Sequence, residues 1–370
     1  MNVEFGRRNS EWVQECRAER LRRIPHSAFR FCIALVFLIV LVASSPARAE
    51  PPLSEQRVVE QVRGAVDRAI DYLASQQPPD GGWHHENQAP NALAILAFLG
   101  RGHVPGRGPY KEVVERGKNF ILAGQQPSGL FASLRPSHGP MYEHALATLA
   151  CAELYGMDPS PKLEDGLRKA VQLIVSAQAP SGGWRYQPQP NDADLSVSVM
   201  QIVALRAANN AEIPLPDRTI EKAIEYVKSC SHANGGFAYQ TGGGPKPEMS
   251  AAGVLSLQLL GRYEEPSVVK ALDFLAPQKI KWEGGPVQYF YYFHYYAMQA
   301  HYQAGGKYWN DWHPQIRELL LSKQNTDGSW DVPGGTSENE GVVGRNKIYW
   351  TAMASLVLEV YLHYLPAYQR

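Results

Sequence analysis

The sequence repeats with a period of roughly 50 residues from about residue 60 onward, and this period constrains the fold more than any other feature. Each unit carries an amphipathic helix pattern, then Gln or a polar residue, a Gly-containing turn and an aromatic residue. A degenerate unit around Trp282 fills the gap before the last one, which makes six. The clear segments are Arg68–Trp83, Arg116–Phe131, Arg168–Trp184, Glu221–Phe237 and Ile316–Trp330.

A second, more apolar helix pattern follows every turn, so that each unit reads as a pair of helices. Helices with one charged face are typical of outer positions, whereas helices that are apolar all round are buried. Six stacked pairs form either an open solenoid or a closed ring. Because neither terminal unit has the polar face of a capping repeat, we predict an all-α fold that closes, an (α/α)6 toroid of six helix-pair repeats.

The turns themselves have a structural explanation. Gly81-Gly82 and Gly182-Gly183 predict positive-φ positions that end the first helix of the pair. We expect the aromatic residue to pack across the turn and the Gln to bond exposed helix-end groups. We therefore interpret the repeated motif as part of the scaffold and not as a catalytic motif.

The amino-terminal segment is typical of an export signal. Phe31–Val42 is apolar but shorter than the roughly 20 residues that a membrane span needs. Arg residues precede it, and Ala47-Arg48-Ala49 follows as an A-x-A cleavage pattern. We predict a signal peptide over residues 1–49, a toroid over 50–370, and a location in the periplasm or cell envelope. An uncleaved membrane anchor is the alternative.

Charge and cysteine content exclude several classes of function. The chain has 36 basic and 36 acidic residues, and this balance gives no electrostatic basis for binding nucleic acid. Removal of the leader leaves Cys151 and Cys230, which lie in different helix patterns and form no C-x-x-C pair. We expect both to be free, buried thiols. The sequence predicts no metal site and no cofactor.

The repeated pattern resembles the QW repeat of squalene–hopene cyclases and oxidosqualene cyclases, within the prenyltransferase and squalene-oxidase repeat superfamily. The resemblance covers roughly residues 60–365. It implies an α/α toroid, a terpenoid or other small-molecule ligand, and peripheral contact with a membrane. The Asp, Cys and His zinc ligands of protein prenyltransferases and the Gly-Cys-Gly-Glu-Gln run of thioester proteins find no match here.

The same resemblance implies a catalytic acid. Cyclases of this superfamily carry Asp-x-Asp-Asp-Thr at the start of an inner helix, after a Gly-Gly-Trp turn. Here Asp192 matches the first Asp and Asp194 matches the middle one, which is the family's proton donor. Leu195 replaces the third Asp, and Ser196 replaces Thr. Known squalene cyclases also have a second helical domain, so one toroid corresponds to half of such an enzyme.

Acidic residues recur at the starts of three apolar helices. When these helices are aligned on their carboxyl ends, Glu143, Asp194 and Glu248 fall at equivalent positions, and His144 follows Glu143. One interpretation is helix capping, because acids there satisfy free N–H groups. The other is an acidic pocket at the mouth of the ring, where ring folds place ligands. No ligand spacing supports a metal site at these residues.

Aromatic residues form the other part of the predicted pocket. In Gln288–Tyr302, the side chains of Tyr289, Tyr292 and Phe293 fall on one helical face, and Tyr349 and Trp350 begin the last apolar helix. Core packing explains this spacing as well as a ligand-binding wall does. Such a wall stabilises carbocations or stacks on sugars.

Three functions are consistent with these features. The first is an exported terpene-cyclase-like toroid that binds or cyclises an isoprenoid by acid initiation at Asp194, with Asp192 beside it. The second is a non-catalytic toroid that binds a ligand or partner. The third is a carbohydrate-active toroid, in which two carboxylates about 6.5–9.5 Å apart are typical of an inverting hydrolase.

Overall fold

The computed structural model describes residues 53–133, 139–339 and 347–362. There the chain forms twelve α-helices that alternate between an outer and an inner set. The outer helices are α1 (Leu53–Ser75), α3 (Lys111–Ala123), α5 (Pro161–Ser176), α7 (Asp217–Ser229), α9 (Pro266–Leu275) and α11 (Gly306–Lys323). The inner helices are α2 (Gln88–Gly100), α4 (Pro140–Met157), α6 (Leu195–Asn210), α8 (Pro247–Leu259), α10 (Phe290–Ala304) and α12 (Lys347–Glu359).

The inner helices form a closed ring. Each packs against the inner helix before and after it, and α12 packs against α2. An outer helix contacts the inner helix that precedes it in the ring. Thus α3 contacts α2, and α1 contacts α12, the last inner helix. The prediction of an (α/α)6 toroid is therefore confirmed.

Side-chain patterning explains which helices lie inside. All thirteen residues of α2 are buried, as its apolar sequence predicts. In α7, by contrast, Ala223, Ile224 and Val227 are buried while Glu221 and Glu225 are exposed. The two kinds of helix thus produce one continuous apolar layer between the inner and outer rings.

The Gly-containing turns join neighbouring units, which differs from the expected role in ending a helix. Helix α5 ends before Gly182, whose φ is +102°. A Cβ at Gly182 would lie 2.1 Å from the backbone oxygen of Lys222 in α7, so only glycine allows this approach. Gln178 donates to the carbonyls of Gly182 at 2.8 Å and Thr219 at 2.9 Å, and so bridges two units.

The tryptophan that follows three of these turns is hydrogen-bonded to its own outer helix. The indole Nε1 of Trp184 donates to the carbonyl of Ile174 at 2.7 Å, and its backbone N–H donates to Oγ of Ser198 on the inner helix. Trp83 and Trp330 make the same indole bond, to the carbonyls of Leu73 and Leu320. These turns are equivalent, as the repeat predicts.

Strand structure in the described ranges is confined to one short antiparallel hairpin, β1 (Phe237–Ala238) and β2 (Pro245–Lys246), which precedes α8. Cys151 and Cys230 are free and buried, as expected. The predicted leader, residues 1–49, lies outside the described residues. In the parts of the chain that are described, no helix has both the length and the apolar character to span a membrane.

Candidate functional site

A cavity of about 420 Å³ lies at the amino-terminal ends of the inner helices, all six of which contribute side chains from their first two turns. This volume falls within the range of small-molecule sites. The sequence prediction named some of the tyrosines that line it and missed others. Among the described residues, the tyrosines that line it are Tyr142, Tyr186, Tyr239, Tyr289, Tyr292, Tyr295, Tyr296 and Tyr349.

Apolar side chains line the cavity one turn further along the inner helices. Leu93, Leu146, Met200 and Met353 come from α2, α4, α6 and α12. Methionine and leucine here offer an adaptable apolar surface with no polar atoms to satisfy. The cavity therefore combines an apolar inner part with a wall of aromatic rings.

Three glutamates line the cavity, and each holds backbone N–H groups of a neighbouring segment. Oε2 of Glu143 accepts hydrogen bonds from the N–H of Gln88 at 2.8 Å and of Ser133 at 2.9 Å. Oε1 of Glu248 accepts from the N–H of Gln288 at 2.7 Å. Glu338, in the segment after α11, accepts from the N–H groups of Tyr291 at 2.9 Å and Tyr292 at 2.8 Å, at the start of α10.

Burial shifts the acidity of two of these glutamates. It raises the pKa of Glu338 to about 7, although the backbone N–H groups that it accepts oppose the shift and the charge of Glu248 adds to it. Burial also raises the pKa of Glu143 above its ordinary value, against the hydrogen bonds from Gln88 and Ser133. Both carboxylates are thus held in place at an electrostatic cost.

Asp194 is the N-cap of α6 and is fully buried. Its Oδ1 accepts hydrogen bonds from the N–H of Val197 at 2.9 Å and from the hydroxyl of Ser196 at 2.6 Å. Burial raises its pKa above the ordinary value, while these hydrogen bonds and the charge of Arg185 oppose the rise. Asp194 is absent from the cavity surface, so it reaches the cavity only through other side chains.

Two hydroxyl groups connect Asp194 to the cavity. The Ser196 hydroxyl that contacts Asp194 also lies 2.7 Å from the hydroxyl of Tyr142. Ser196 and Tyr142 both line the cavity. The buried carboxyl, a serine and a tyrosine thus form one continuous hydrogen-bonded chain that ends at the cavity wall.

Arg185 faces the other oxygen of the same carboxyl. Its Nη1 lies 3.5 Å from Oδ2 of Asp194 and 3.6 Å from Oδ2 of Asp192. Neither Nη1 nor Oδ2 of Asp194 has a hydrogen-bond partner among the described residues. The guanidinium stacks on Tyr186 at 4.9 Å and Tyr239 at 5.7 Å, measured to the ring centroids, and the hydroxyls of these two tyrosines are hydrogen-bonded to each other. Arg185 can therefore stabilise the ionised form of Asp194.

The remaining sequence-predicted residues lie away from the cavity surface. The carboxylate of Asp192 is exposed, with 61% of its side chain accessible. His144 is fully buried, accepts from the N–H of Phe131 through Nδ1 and bonds the carbonyl of Ala170 through Nε2, and burial lowers its pKa to about 4. Phe293 packs edge-on against Trp312, and Trp350 is buried. The cavity brings together Glu143, Glu248, Tyr289, Tyr292 and Tyr349.

The helix starts explain this division. Asp194 precedes the first residue of α6, whereas Glu248 follows the first residue of α8 and Glu143 lies a full turn into α4. The three acids thus occupy different positions around the first turn of their helices, offset by two to four residues, which an alignment on the carboxyl ends does not resolve. Glu143 and Glu248 point into the cavity, and Asp194 points into the capping turn.

Sequence reasoning missed several lining residues, and some of them left a signal. Tyr186 and Tyr239 each lie two residues after a turn aromatic, Trp184 and Phe237, so they are equivalent positions of the repeat. Glu338 has no such equivalent. Across residues 53–133, 139–339 and 347–362, no three His, Cys, Asp or Glu side chains come together as a metal-binding group.

Comparison with known protein families agrees with the toroid fold of this chain. The prenyltransferase alpha-alpha toroid domain family matches residues 53–347. A drimenyl diphosphate synthase from Streptomyces showdoensis is 24% identical over 197 residues, which cover 52% of this chain and 36% of that protein. Lanosterol synthase erg7A from Aspergillus fumigatus is 28% identical over 136 residues, 34% of this chain and 17% of that protein. The chain thus matches about a third of the length of the first of these relatives and about a sixth of the second.

Solved structures show the same fold at low identity. A variant of the type II terpene cyclase MstE from Scytonema, in complex with its substrate geranylgeranyl dihydroxybenzoate, aligns with a TM-score of 0.57 and 14% identity, over 84% of this chain and 99% of that one. A D-mannose isomerase aligns with a TM-score of 0.59 and 13% identity, over 84% and 100%. These likenesses concern the fold, whereas the family match covers most of the chain. The chain belongs to the prenyltransferase alpha-alpha toroid domain family.

Proposed function

We propose that this protein binds an isoprenoid chain in the central cavity of its toroid. The observation that carries the proposal is the lining of the cavity, where eight tyrosines surround an inner part formed by leucine and methionine side chains. An isoprenoid is an apolar chain with regularly spaced double bonds. Such a chain gains from burial against Leu93, Met200 and Met353, and its double bonds pack against aromatic faces.

The relatives support the same class of ligand. The MstE structure holds geranylgeranyl dihydroxybenzoate, and the curated relatives are named for a drimenyl and a lanosterol product. The D-mannose isomerase shares the toroid equally well, so the fold alone does not select the ligand. Aromatic rings pack against either ligand, so the leucine and methionine surface is the feature that favours an isoprenoid over a sugar.

The catalytic form of the proposal assigns acid initiation to Asp194. In its protonated form the carboxyl would donate to the Ser196 hydroxyl, which reverses the direction of the bond that the carboxylate accepts. Ser196 would then donate to the Tyr142 hydroxyl, and Tyr142 would give its own proton to a double bond of the bound chain, so that the net transfer is one proton from Asp194 to the chain. The carbocation formed on the chain lies among tyrosine rings, whose faces stabilise positive charge. Arg185, at 3.5 Å, and the N–H of Val197 stabilise the carboxylate that remains.

We also propose that the protein acts outside the cytoplasm, since residues 1–49 have the pattern of a signal peptide or, in the alternative, of an anchor. A lipid-like ligand would then be taken from the cell envelope. This location is independent of the cavity chemistry.

Binding tests the first part of the proposal. Isothermal titration calorimetry with geranylgeraniol is expected to show one site per chain. Met200→Trp places an indole in the cavity and should weaken binding at least tenfold, whereas Val269→Trp, on the exposed face of α9, should leave it unchanged. Equal affinity of the two variants, with both helical by circular dichroism, would place the ligand elsewhere.

Turnover tests the catalytic part. Incubation with linear polyenes of 15 to 30 carbons, followed by mass spectrometry, is expected to give cyclised products with wild type and none with Asp194→Asn. Asn caps a helix about as well as Asp, so the fold is retained. The exposed Asp192→Asn is the matched control. Binding without any turnover in wild type would leave a non-catalytic toroid.

A further inference from the structure

The cavity lining carries more negative than positive charge. Of the lining residues that the structure describes, three are carboxylates, Glu143, Glu248 and Glu338, and one is a cation, Lys246. Lys246 lies on the exposed strand β2, whereas the three glutamates are buried. The buried carboxylates therefore dominate the potential inside the cavity.

These carboxylates are already engaged by the protein. Both oxygens of Glu338 accept backbone N–H groups, and both oxygens of Glu143 accept hydrogen bonds from Gln88 or Ser133. A glutamate that turned toward a metal ion or a phosphate would release buried N–H groups, which costs free energy. The negative charges of Glu338 and Glu143 are thus fixed features of the cavity, and Glu248 is held through one oxygen by the Gln288 N–H.

The positive charge of Arg185, near the cavity, is already paired with acidic side chains. Arg185 is shared between Asp192 and Asp194, and its guanidinium stacks on two tyrosine rings. It contributes no unmatched charge to the cavity. At pH 8 Glu338 is mostly ionised, because its pKa is about 7.

We infer that the ligand of this cavity has a head group without negative charge, either a hydroxyl or an amine, and that a prenyl diphosphate is excluded. This inference rests on the proposed function and narrows its substrate class. Each buried carboxylate that faces a diphosphate at about 8 Å weakens binding by about tenfold or more. A hydroxyl or amine instead donates hydrogen bonds, which the tyrosine and glutamate oxygens can accept.

The head group expected for this cavity differs from the one in the name of a relative. The Streptomyces relative is named as a drimenyl diphosphate synthase. Such a head group needs positive charge around it, whereas the described lining of this cavity offers the exposed Lys246 against three buried glutamates. The difference lies in the charge of the lining residues and not in the shared toroid.

Three ligands that share one chain test the inference. Geranylgeraniol, geranylgeranylamine and geranylgeranyl diphosphate are titrated separately at pH 8, the last with and without Mg²⁺. The alcohol and the amine are expected to bind at least 100-fold more tightly than the diphosphate under both conditions. Diphosphate affinity equal to that of the alcohol overturns the inference, while absence of binding by all three overturns the proposed function instead.

Two charge variants supply a second readout. Glu248→Gln keeps an oxygen that accepts the Gln288 N–H and removes one negative charge, so it should raise the ratio of diphosphate affinity to alcohol affinity about tenfold. Lys246→Met should lower the same ratio. Failure of Glu248→Gln to strengthen diphosphate binding, with alcohol binding intact, contradicts an electrostatic origin.

Discussion

The side-chain amide of Gln324 donates a hydrogen bond of 2.8 Å to the backbone carbonyl of Ala65, which lies 259 residues earlier in the chain. Gln77 makes the same bond to the carbonyl of Val113, one unit further along. The kind of turn that links the first unit to the second thus also links the last unit to the first. The contact that closes the ring is therefore the same contact that joins the first two repeat units.

Gln324→Ala should destabilise the protein by about 1–3 kcal/mol, because the carbonyls of Ala65 and Gly328 both lose their donor and the ring loses a closing contact. Chemical denaturation followed by circular dichroism measures this. Gln172→Ala, on the exposed face of α5, is the matched control and should change stability by less than about 0.5 kcal/mol. Equal effects of the two changes would contradict the role of the turn in closure.

Gly182→Ala should be strongly destabilising, by about 3 kcal/mol or more, because the new Cβ would collide with the carbonyl of Lys222 and the backbone would hold alanine at positive φ. Gly242→Ala separates these two causes. Its φ is +81° and its Cβ meets open space, so only the backbone cost of about 1–2 kcal/mol applies. A thermal melt that ranks the two variants equally would show that the close approach is unimportant.

Stability should depend on pH through Glu338. Its pKa of about 7 lies above the ordinary value of 4.5, so its contribution is fully present below about pH 4.5 and is lost as pH rises through 7. Relative to Glu338→Gln, wild type should lose on the order of 2–3 kcal/mol between pH 5 and pH 8.

The comparison with the variant is needed because buried histidines act in the opposite direction. Burial lowers the pKa of His294 to about 3 and of His301 to about 4, so their contribution is gained as pH rises toward 6.5. The histidines are the same in both proteins and cancel in the difference. A difference that stays constant from pH 5 to pH 8 would place the Glu338 carboxyl in a more polar setting.

Cleavage of the leader should leave a chain that begins at Glu50, since cleavage is expected after Ala49. Amino-terminal sequencing of protein from the envelope fraction measures this directly. Recovery of the intact leader in the membrane would favour the anchor instead.

The fold could be predicted from the sequence because one local signal occurs six times. A turn such as Gly182-Gly183-Trp184 indicates a helix boundary, and its recurrence counts the units. Apolar and charged faces then assign the inner and outer helices, as α2 and α7 illustrate. The expectation that glycine ends the helix differs from the structure, since contact between turns and neighbouring helices is not visible in one segment alone.

The site was less predictable, because a shift of two to four residues at a helix start decides whether a side chain faces a cavity or a helix end. Glu143 and Glu248 line the cavity, whereas Asp194 caps α6 from one residue before it. Glu338 accepts a hydrogen bond from the N–H of Tyr291 at the start of α10, which is distant in sequence. Glu338 does not stand at a position that recurs in the repeat. Tyr186 and Tyr239 occupy equivalent positions of the repeat, which a sequence comparison can detect. The repeated turn is explained by the packing of the aromatic residue before each of them, so the two tyrosines themselves give no separate signal of a site.

A crystal structure of the protein grown with geranylgeraniol tests the central claim most directly. Continuous electron density for the isoprenoid chain is expected inside the toroid, between Leu93 of α2 and Tyr296 of α10, with the hydroxyl among the tyrosines and glutamates at the mouth. Density for the ligand on an outer face of the ring, with the cavity empty, would contradict it.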